Sequence, residues 1–302
     1  MLLAMGELAL SMILVGANVV VVKVLAEHLP VFVILVMRTS IAALVLAPFA
    51  GIVRLPPRRV MLYIVLQATL GTIGYNAFLI AGLARTGALQ AGLILASLPA
   101  VIALGAALWF REKLGLRRWI AILLAGLGMG ALAHGKSGAF SIIGDILIFA
   151  GVCGEAGYAL IAKRVAGRLP PLTATFWMQA SGAVLAAPVA AATWPSHGFS
   201  AFVIGLLILH SLSTSVAAVL LWYRGMRRVP AGIGGAFTAL LPATAAACGI
   251  VFLGETLGVA EALGFVALFT SIGLITWPDR AQRRGKSSPP APVAAGAGRR
   301  DR

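Results

Sequence analysis

Charged residues are scarce in this sequence, and acidic ones are the scarcest. Only 11% of the 302 residues are Asp, Glu, Lys or Arg, with 9 acidic against 24 basic side chains. Soluble proteins carry about 25% charged residues, so this composition argues against a soluble domain. The net charge of +15 does not indicate nucleic-acid binding either, because the basic residues lie in short loops and near the C-terminus instead of on one folded surface.

Cysteines and catalytic signatures are also few. Cys153 and Cys248 lie in apolar runs and lack the spacing of metal ligands, so we expect packing thiols, with neither a metal site nor a cofactor. The apolar segments contain no Gly-x-Ser-x-Gly or His-Glu-x-x-His motif. We therefore expect a protein that is not an enzyme.

Apolar residues dominate instead: 60% of the sequence is hydrophobic, and the mean hydropathy is +0.99. A helix that crosses a bilayer needs about 20 mostly apolar residues. No basic residue precedes the first apolar segment, so we expect no cleavable signal sequence. We predict an all-α, polytopic membrane protein with ten transmembrane helices, at residues 5–25, 31–50, 60–82, 88–110, 117–134, 141–163, 172–192, 201–223, 232–253 and 259–277.

The basic residues predict the orientation of these helices. All but four of the 24 lie in the loops after helices 2, 4, 6 and 8 or in the C-terminal tail, which an even number of spans puts on the same side as the N-terminus. The exceptions are Lys23, Arg85 and Lys136 on the opposite side and Arg38 inside the second helix. Since cytoplasmic loops carry the excess of Lys and Arg, we predict that both termini are cytoplasmic.

The sequence also repeats itself. Residues 98–115 recur at 241–258 with a constant offset of 143, and an offset of 140 relates residues farther upstream. Five helices per repeat is an odd number, so the second repeat must insert upside down relative to the first. We predict a first five-helix repeat over 1–138, an inverted five-helix repeat over 139–278, and a disordered basic cytoplasmic tail over 279–302. The matched pairs include Leu98-Pro99 with Leu241-Pro242, Glu112 with Glu255, Leu114-Gly115 with Leu257-Gly258, and Asn18 with Tyr158.

Each repeat contains a turn of the form Gly/Arg-Glu-x-Leu-Gly, at 111–115 and 254–258, downstream of a proline. This arrangement over residues 5–277 resembles the ten-helix EamA-type branch of the drug/metabolite transporter superfamily, and it is most similar to the aromatic amino-acid exporters of that branch. The first turn departs from the pattern, with Arg111 in place of the usual Gly before Glu112. The resemblance implies a carrier of the bacterial inner (cytoplasmic) membrane, usually an exporter of metabolites, that works by alternating access.

Polar and ionisable side chains inside the predicted helices are the candidates for a substrate site, because such groups are costly in a bilayer unless they face a cavity or a partner. Arg38 and Glu155 either pair with each other or bind the carboxylate and the ammonium of a zwitterion. His210 either serves a proton-linked step or is a hydrogen-bonded packing residue. Aromatic rings with polar tips suit an amphipathic substrate, although packing explains any one of them as well. The candidate set is Asn18, Arg38, Tyr75, Asn76, Glu155, Tyr158, Trp177 and His210.

Two further patterns concern the mechanics of the helices. Pro99 and Pro242 occupy matched positions near the middle of helices 4 and 9, where we expect a hinge or gate, with a static kink as the alternative. Glu7, Ser11 and Asn18 share one stripe of the first helix, which is typical of a cavity wall.

These features predict a secondary transporter that exports small amphipathic metabolites, with amino acids, including aromatic ones, as the leading substrate class. Transport would pass through a midplane cavity between the repeats. A carrier of the same fold for drugs, nucleobases or sugars is the alternative, and an intramembrane enzyme is the least favoured one. The expected partners are a small-molecule substrate and membrane lipid, without nucleic acid, and the oligomeric state stays open, a monomer included.

Overall fold

The computed structural model describes residues 1–49, 55–83, 85, 94–95, 97–112, 115–132, 141–196, 198–253 and 259–276. Every regular element within these ranges is helical, so the all-α prediction is confirmed for this part of the chain. The predictions for the turn at 254–258 and for the tail over 279–302 concern residues outside these ranges.

Thirteen α-helices can be delimited in the described ranges. Six stretches are long and apolar enough to cross a membrane: Leu2–Ala26, Val31–Phe49, Arg58–Gly82, Ile142–Ala166, Pro171–Ala192 and Ala201–Met226. In chain order the helices are α1 (Leu2–Ala26), α2 (Val31–Leu46), α3 (Arg58–Gln67), α4 (Tyr75–Leu83), α5 (Leu98–Phe110), α6 (Leu116–Leu132), α7 (Ile142–Ala166), α8 (Pro171–Ala192), α9 (Ala201–His210), α10 (Val219–Met226), α11 (Ala231–Ala236), α12 (Leu240–Leu253) and α13 (Val259–Thr276).

Prolines and serines set where several helices begin. A proline suits the position before a helix, because its φ is fixed and it has no N–H group to leave unpaired. Ser141 caps α7 by accepting a hydrogen bond from the Gly144 N–H at 3.2 Å, and Ser200 caps α9 in the same way. Prolines precede four other helices, with ψ between 141° and 148°: Pro30, Pro57, Pro170 and Pro230.

Two of the long helices are interrupted by π-helical segments at matched positions. The segment Ala68–Gly74 lies between α3 and α4, and the segment Ser211–Ala218 lies between α9 and α10. Their first residues differ by 143, which is the offset of the sequence repeat. A π-turn shifts the backbone hydrogen bonds from i→i−4 to i→i−5 and frequently marks a functional site.

The packing of the helices follows the same correspondence. α1 packs against α10 and α12, and its counterpart α7 packs against α4 and α5. The counterparts α2 and α8 pack against each other, as do α6 and α13. Glycine permits one of the closest approaches, since a Cβ added at Gly16 of α1 would lie 2.5 Å from the carbonyl oxygen of Leu241 in α12. Helices of each half therefore pack against helices of the other half.

The positions of two prolines correct the sequence prediction. Pro99 lies in the first turn of α5, and Pro242 is the third residue of α12, so neither is in the middle of a helix. A 3₁₀ turn over Phe237–Ala239 separates α11 from α12, which breaks the helix predicted over 232–253. A proline in the first turn costs no hydrogen bond, because the first amides of a helix have no intrahelical acceptor. The uninterrupted apolar sequence before each proline gave no signal for these helix starts.

Candidate functional site

Four of the predicted site residues form one group, contributed by α2, α4 and α7, which we call the central cluster: Arg38, Tyr75, Glu155 and Tyr158. Arg38 lies within electrostatic range of Glu155 and Tyr158, and Glu155 lies within that range of Tyr75. All four residues keep part of their surface accessible. The structure therefore brings a basic, an acidic and two phenolic side chains together inside the molecule.

The π segment Ser211–Ala218 holds Arg38 in place. The Nη1 of Arg38 donates to the Ser215 Oγ at 2.9 Å, and the backbone carbonyl of Arg38 accepts from the Ser211 Oγ at 2.7 Å. The carbonyl of Ser215 accepts in turn from the Gln179 Nε2 of α8 at 2.6 Å. A guanidinium has five N–H donors, and within the described ranges only one bond from this side chain is formed. The other donors are available to an anionic group.

Glu155 lies where α7 packs closely against the π segment Ala68–Gly74. A Cβ added at the neighbouring Gly154 would lie 2.9 Å from the carbonyl oxygen of Leu70, so the close approach depends on glycine. The Glu155 carboxylate forms no hydrogen bond and no ion pair of 4 Å or less with any residue in the described part of the chain. An interior carboxylate without a partner is costly unless water or a ligand reaches it.

The other aromatic and amide candidates contact neighbours on their own helices. The Trp177 ring packs edge-on against Phe176, with ring centroids 5.1 Å apart. The Asn76 Nδ2 donates to the carbonyl of Thr72 at 2.8 Å, within the π segment, and the residue is partly exposed. Tyr158 differs from these two, because its ring lies directly over Gly71 across the α7 interface.

Asn18 and His210 are paired with each other. Both are buried, with 7% and 6% of their surface exposed. The Asn18 Nδ2 donates to the Leu14 carbonyl at 3.0 Å, which leaves its Oδ1 facing the His210 Nδ1 at 3.2 Å and the Ser213 Oγ at 3.0 Å. In this arrangement the His210 Nδ1 carries a proton and donates it. The geometry fits the packing interpretation of His210 better than the proton-linked one.

The sequence predicted that the polar stripe of α1 lines a cavity. In the structure this stripe contacts the neighbouring helix instead. Glu7 is 7% exposed and pairs with Arg224 at 2.9 Å and with Arg228 at 3.3 Å. The Ser11 Oγ donates to the carbonyl of Ala218, at the end of the π segment, at 2.7 Å. The stripe therefore joins α1 to the helix that runs from α9 to α10.

Two buried glutamines, Gln67 and Gln179, were not among the residues predicted for the site. Gln67 and Gln179 are fully buried, and each keeps one amide atom without a hydrogen-bond partner among the described residues, the Nε2 of Gln67 and the Oε1 of Gln179. The Ser181 Oγ of α8 is also buried, with no hydrogen-bond partner in the part of the chain that the structure describes. A glutamine inside an apolar helical run was the available signal in the sequence. Unpaired buried polar atoms indicate sites that water or a ligand reaches.

One sequence pattern needs its structural context. Residues 130–137 read GALAHGKS, which matches the formal pattern of a phosphate-binding loop. Such a loop follows a strand and opens a helix, whereas Gly130 lies near the C-terminal end of α6, and residues 133–140 are outside the described ranges. Among the residues that the structure describes, no group of three or more His, Cys, Asp or Glu is placed to hold a metal ion.

Comparison with known proteins agrees with this architecture. The model of the EamA-like transporter family matches the chain twice, over residues 3–133 and 142–277. "Uncharacterized transporter YetK" of Bacillus subtilis (strain 168) is 29% identical over 279 residues, which cover 88% of this chain and 84% of the relative. "Uncharacterized transporter YyaM" of the same organism is 26% identical over 223 residues, covering 71% and 72%.

A protein with a solved crystal structure shares the fold, with a TM-score of 0.75 at 19% identity over 93% of this chain and 98% of that chain. The family and the named relatives are transporters, so the prediction that this protein is not an enzyme is confirmed. With family matches over most of its length, the chain belongs to the EamA-like transporter family of membrane proteins.

Proposed function

We propose that the protein is a secondary carrier that exports small amphipathic metabolites, amino acids foremost, by alternating access around the central cluster. The observation that carries this proposal is that a basic and an acidic side chain in the central cluster both have hydrogen-bonding groups that no described residue occupies. Arg38 has free N–H donors, and Glu155 has no hydrogen-bond or ion-pair partner among the described residues. An amino acid supplies the complement of both, since its carboxylate fits the guanidinium and its ammonium fits the carboxylate.

The two tyrosines of the central cluster favour substrates that also carry an apolar or aromatic side chain. Tyr75 and Tyr158 each present a ring with a polar tip beside the charged pair, and both are partly exposed. Aromatic rings contribute large contact areas and favourable stacking of about 0.5–1.5 kcal/mol for an aromatic partner. Aromatic amino acids are therefore the first substrates to test.

The proposal includes ten transmembrane helices in two inverted five-helix repeats, over residues 1–138 and 139–278. Three observations support the duplication: the matched π segments, the corresponding helix pairs, and the two successive matches to one family model. Inverted repeats build a substrate site near the midplane, at the interface between them. The central cluster fits this expectation because α2 and α4 belong to the first repeat and α7 to the second.

We further propose that the protein lies in the bacterial cytoplasmic membrane with both termini in the cytoplasm. The basic loops support this orientation, because Lys and Arg accumulate on the cytoplasmic side of membrane proteins. The exposed arginines in or beside the described loops include Arg58, Arg111, Arg168 and Arg227, which all fall on that side of the proposed topology. The named relatives are bacterial transporters.

Counterflow in liposomes tests the proposed function. Purified protein is reconstituted into vesicles loaded with one unlabelled amino acid at a time, and uptake of the labelled form is followed. We expect uptake with Phe, Trp, Tyr, Met or Leu, and its loss in Glu155→Ala and Tyr158→Ala. Vesicles without protein and vesicles with Arg85→Gln, an exposed position on the opposite side of the proposed topology, are the controls.

Absence of uptake with every amino acid, from protein shown to be folded and monodisperse, would remove the substrate class from the proposal. Nucleobases, sugars and cationic drugs would then be tested in the same vesicles. Uptake of an amino acid that persists in both variants would instead show that the central cluster is not the binding site.

A further inference from the structure

The turn between α10 and α11 is held by a side chain from the other half of the molecule. Glu112 follows α5, and its carboxylate accepts hydrogen bonds from the backbone N–H groups of Ala231 at 2.7 Å and of Gly232 at 3.1 Å. These are the first amides of α11, which have no acceptor within their own helix. Hydrogen bonds between a charged group and a helix N-terminus are among the strong ones in proteins.

A basic side chain holds the other end of the same turn. The Lys163 Nζ donates to the carbonyl of Met226 at 2.7 Å and to the carbonyl of Val229. Met226 ends α10, so the ammonium lies at a helix C-terminus, where a positive charge is favourable. Lys163 and Glu112 also lie within electrostatic range of each other. One short turn is thus held at both ends, with its N–H groups bound to the Glu112 carboxylate and its carbonyl groups bound to the Lys163 ammonium.

The backbone before Glu112 is in a costly conformation. Arg111 has φ 53°, the one positive φ of a residue other than glycine in the described ranges. A left-handed residue of this kind persists where its surroundings require it, and such residues are common at switching elements. Here the left-handed turn ends α5 and is followed directly by the carboxylate that reaches α11.

We propose that Glu112 is a gate residue at the arginine-rich end of the molecule, which is the end that carries Arg58, Arg111, Arg168 and Arg227. Its carboxylate holds the two halves together at this end and must release α11 for the end to open. The inference rests on the proposed carrier function. Since α5 belongs to the first half and α11 to the second, the Glu112 contact joins the two halves. In alternating access the two halves separate at one end while they close at the other. A bond that joins the halves at one end therefore biases this equilibrium.

Pulsed electron-spin distance measurements test the gate without any knowledge of the substrate. Spin labels are placed at Leu116 and Arg227, two exposed residues of the arginine-rich end, in a background in which Cys153 and Cys248 are replaced by Ala. A second pair, at Arg85 and Val259, reports on the opposite end. The protein is reconstituted in lipid nanodiscs, and each pair is measured with and without Glu112→Gln.

We expect Glu112→Gln to raise the ratio of long to short distances at the arginine-rich end about tenfold, since an amide is a weaker acceptor than a carboxylate. The opposite pair should shorten in the same variant, because opening at one end requires closing at the other. Glu112→Asp, which keeps the charge, should restore most of the original distribution. Glu27→Gln, which removes a carboxylate from an exposed residue at the opposite end, is the matched control and should change neither pair.

Distances that stay unchanged in Glu112→Gln, or that change at the arginine-rich end alone, would overturn the proposal and make the contact a static helix cap. If Glu112→Gln is not monodisperse, Glu112→Asp and Glu112→His are compared instead, and the same two spin-label distances are measured in each. The distance measurement does not depend on the counterflow assay. If the parent protein shows no counterflow with any amino acid, the proposed substrate class is wrong, but the test of the gate still stands.

Discussion

At the scale of single residues, the cost of a charge inside a bilayer explains why Arg38 and Glu155 could be selected from the sequence. Few ionisable groups interrupt the apolar segments, and each is expensive unless a partner or water reaches it. The structure shows which hydrogen-bond partners the two side chains have. Arg38 is anchored through Ser215 with donors to spare, whereas Glu155 has no such anchor in the described part of the chain. We therefore propose separate roles for the two side chains, with Arg38 contacting the carboxylate of a substrate and Glu155 its ammonium.

Substrate analogues that lack one charge can assign the two roles. Arg38→Gln should weaken inhibition by an amino acid about tenfold or more while it spares the amine that lacks the carboxylate, because one charge-assisted contact is lost. Glu155→Gln should show the reverse, sparing the acid that lacks the amino group. Competition in the counterflow assay measures both series. An equal loss for all analogues in both variants would indicate that the two residues have a structural role and do not bind the substrate.

Arg111 permits a prediction about stability that is independent of transport. A left-handed φ costs a residue with a Cβ about 1 kcal/mol, and glycine avoids that cost. Arg111→Gly should therefore raise the melting temperature of the purified protein in detergent, while Arg111→Ala should not. Ala107→Gly, in the interior of α5, serves as a control and should lower stability by about 1 kcal/mol. A lower melting temperature in Arg111→Gly would mean that the arginine side chain contributes more than the strain costs.

At the scale of elements, close contacts through glycine fix how α7 lies against the π segment Ala68–Gly74. A Cβ added at Gly71 would lie 2.5–2.8 Å from atoms of Tyr158, which is closer than carbon atoms can approach. Gly71→Ala should therefore destabilise the protein by about 1–3 kcal/mol, as overpacking does. Gly6→Ala is the matched control, because nothing lies within 4 Å of its added Cβ and alanine favours the helix by up to about 1 kcal/mol.

The same pair of variants can be measured by thermal unfolding, followed by size-exclusion chromatography. Tyr158→Ala introduced into Gly71→Ala should recover part of the lost stability, since it removes the ring that the new methyl group meets. Equal melting temperatures for Gly71→Ala and the parent protein would show that α7 shifts freely, and the central cluster would then lack a fixed geometry.

Elements also show what the sequence could and could not predict. The long apolar runs located most helices within a few residues, because a spanning segment needs many consecutive apolar side chains. The π segments and the starts of α5 and α12 were missed, since they fall inside uniformly apolar sequence and depend on packing across helices. The pairing of Asn18 with His210 joins residues 192 positions apart, which no local pattern indicates. Gln179 and Ser215 were missed because nothing in the local sequence separates them from other polar residues inside apolar runs, and the contacts of Ser215 with Gln179 and with Arg38 join distant parts of the chain.

At the scale of the whole molecule, the correspondence between halves connects the site to the proposed gate. Both involve α7, which contributes Glu155 and Tyr158 to the central cluster and Lys163 to the turn between α10 and α11. Both also join residues of the first half to residues of the second. A movement between the halves that loosens the turn would therefore change the relative position of Arg38 and Glu155. A ligand that bridges these two residues would in turn favour one arrangement of the halves.

Side-specific labelling tests the inverted relation of the halves directly. Leu116 and Val259 are equivalent under the 143-residue offset, and they are 77% and 79% exposed at the starts of α6 and α13. Single cysteines at these positions, in a background in which Cys153 and Cys248 are replaced by Ala, should react with a membrane-impermeant maleimide from opposite faces. We expect the Leu116→Cys variant to react in inside-out vesicles and the Val259→Cys variant in intact cells. Reaction of both from the same face would mean that the halves are parallel, and the pseudo-two-fold arrangement of the substrate site would have to be abandoned.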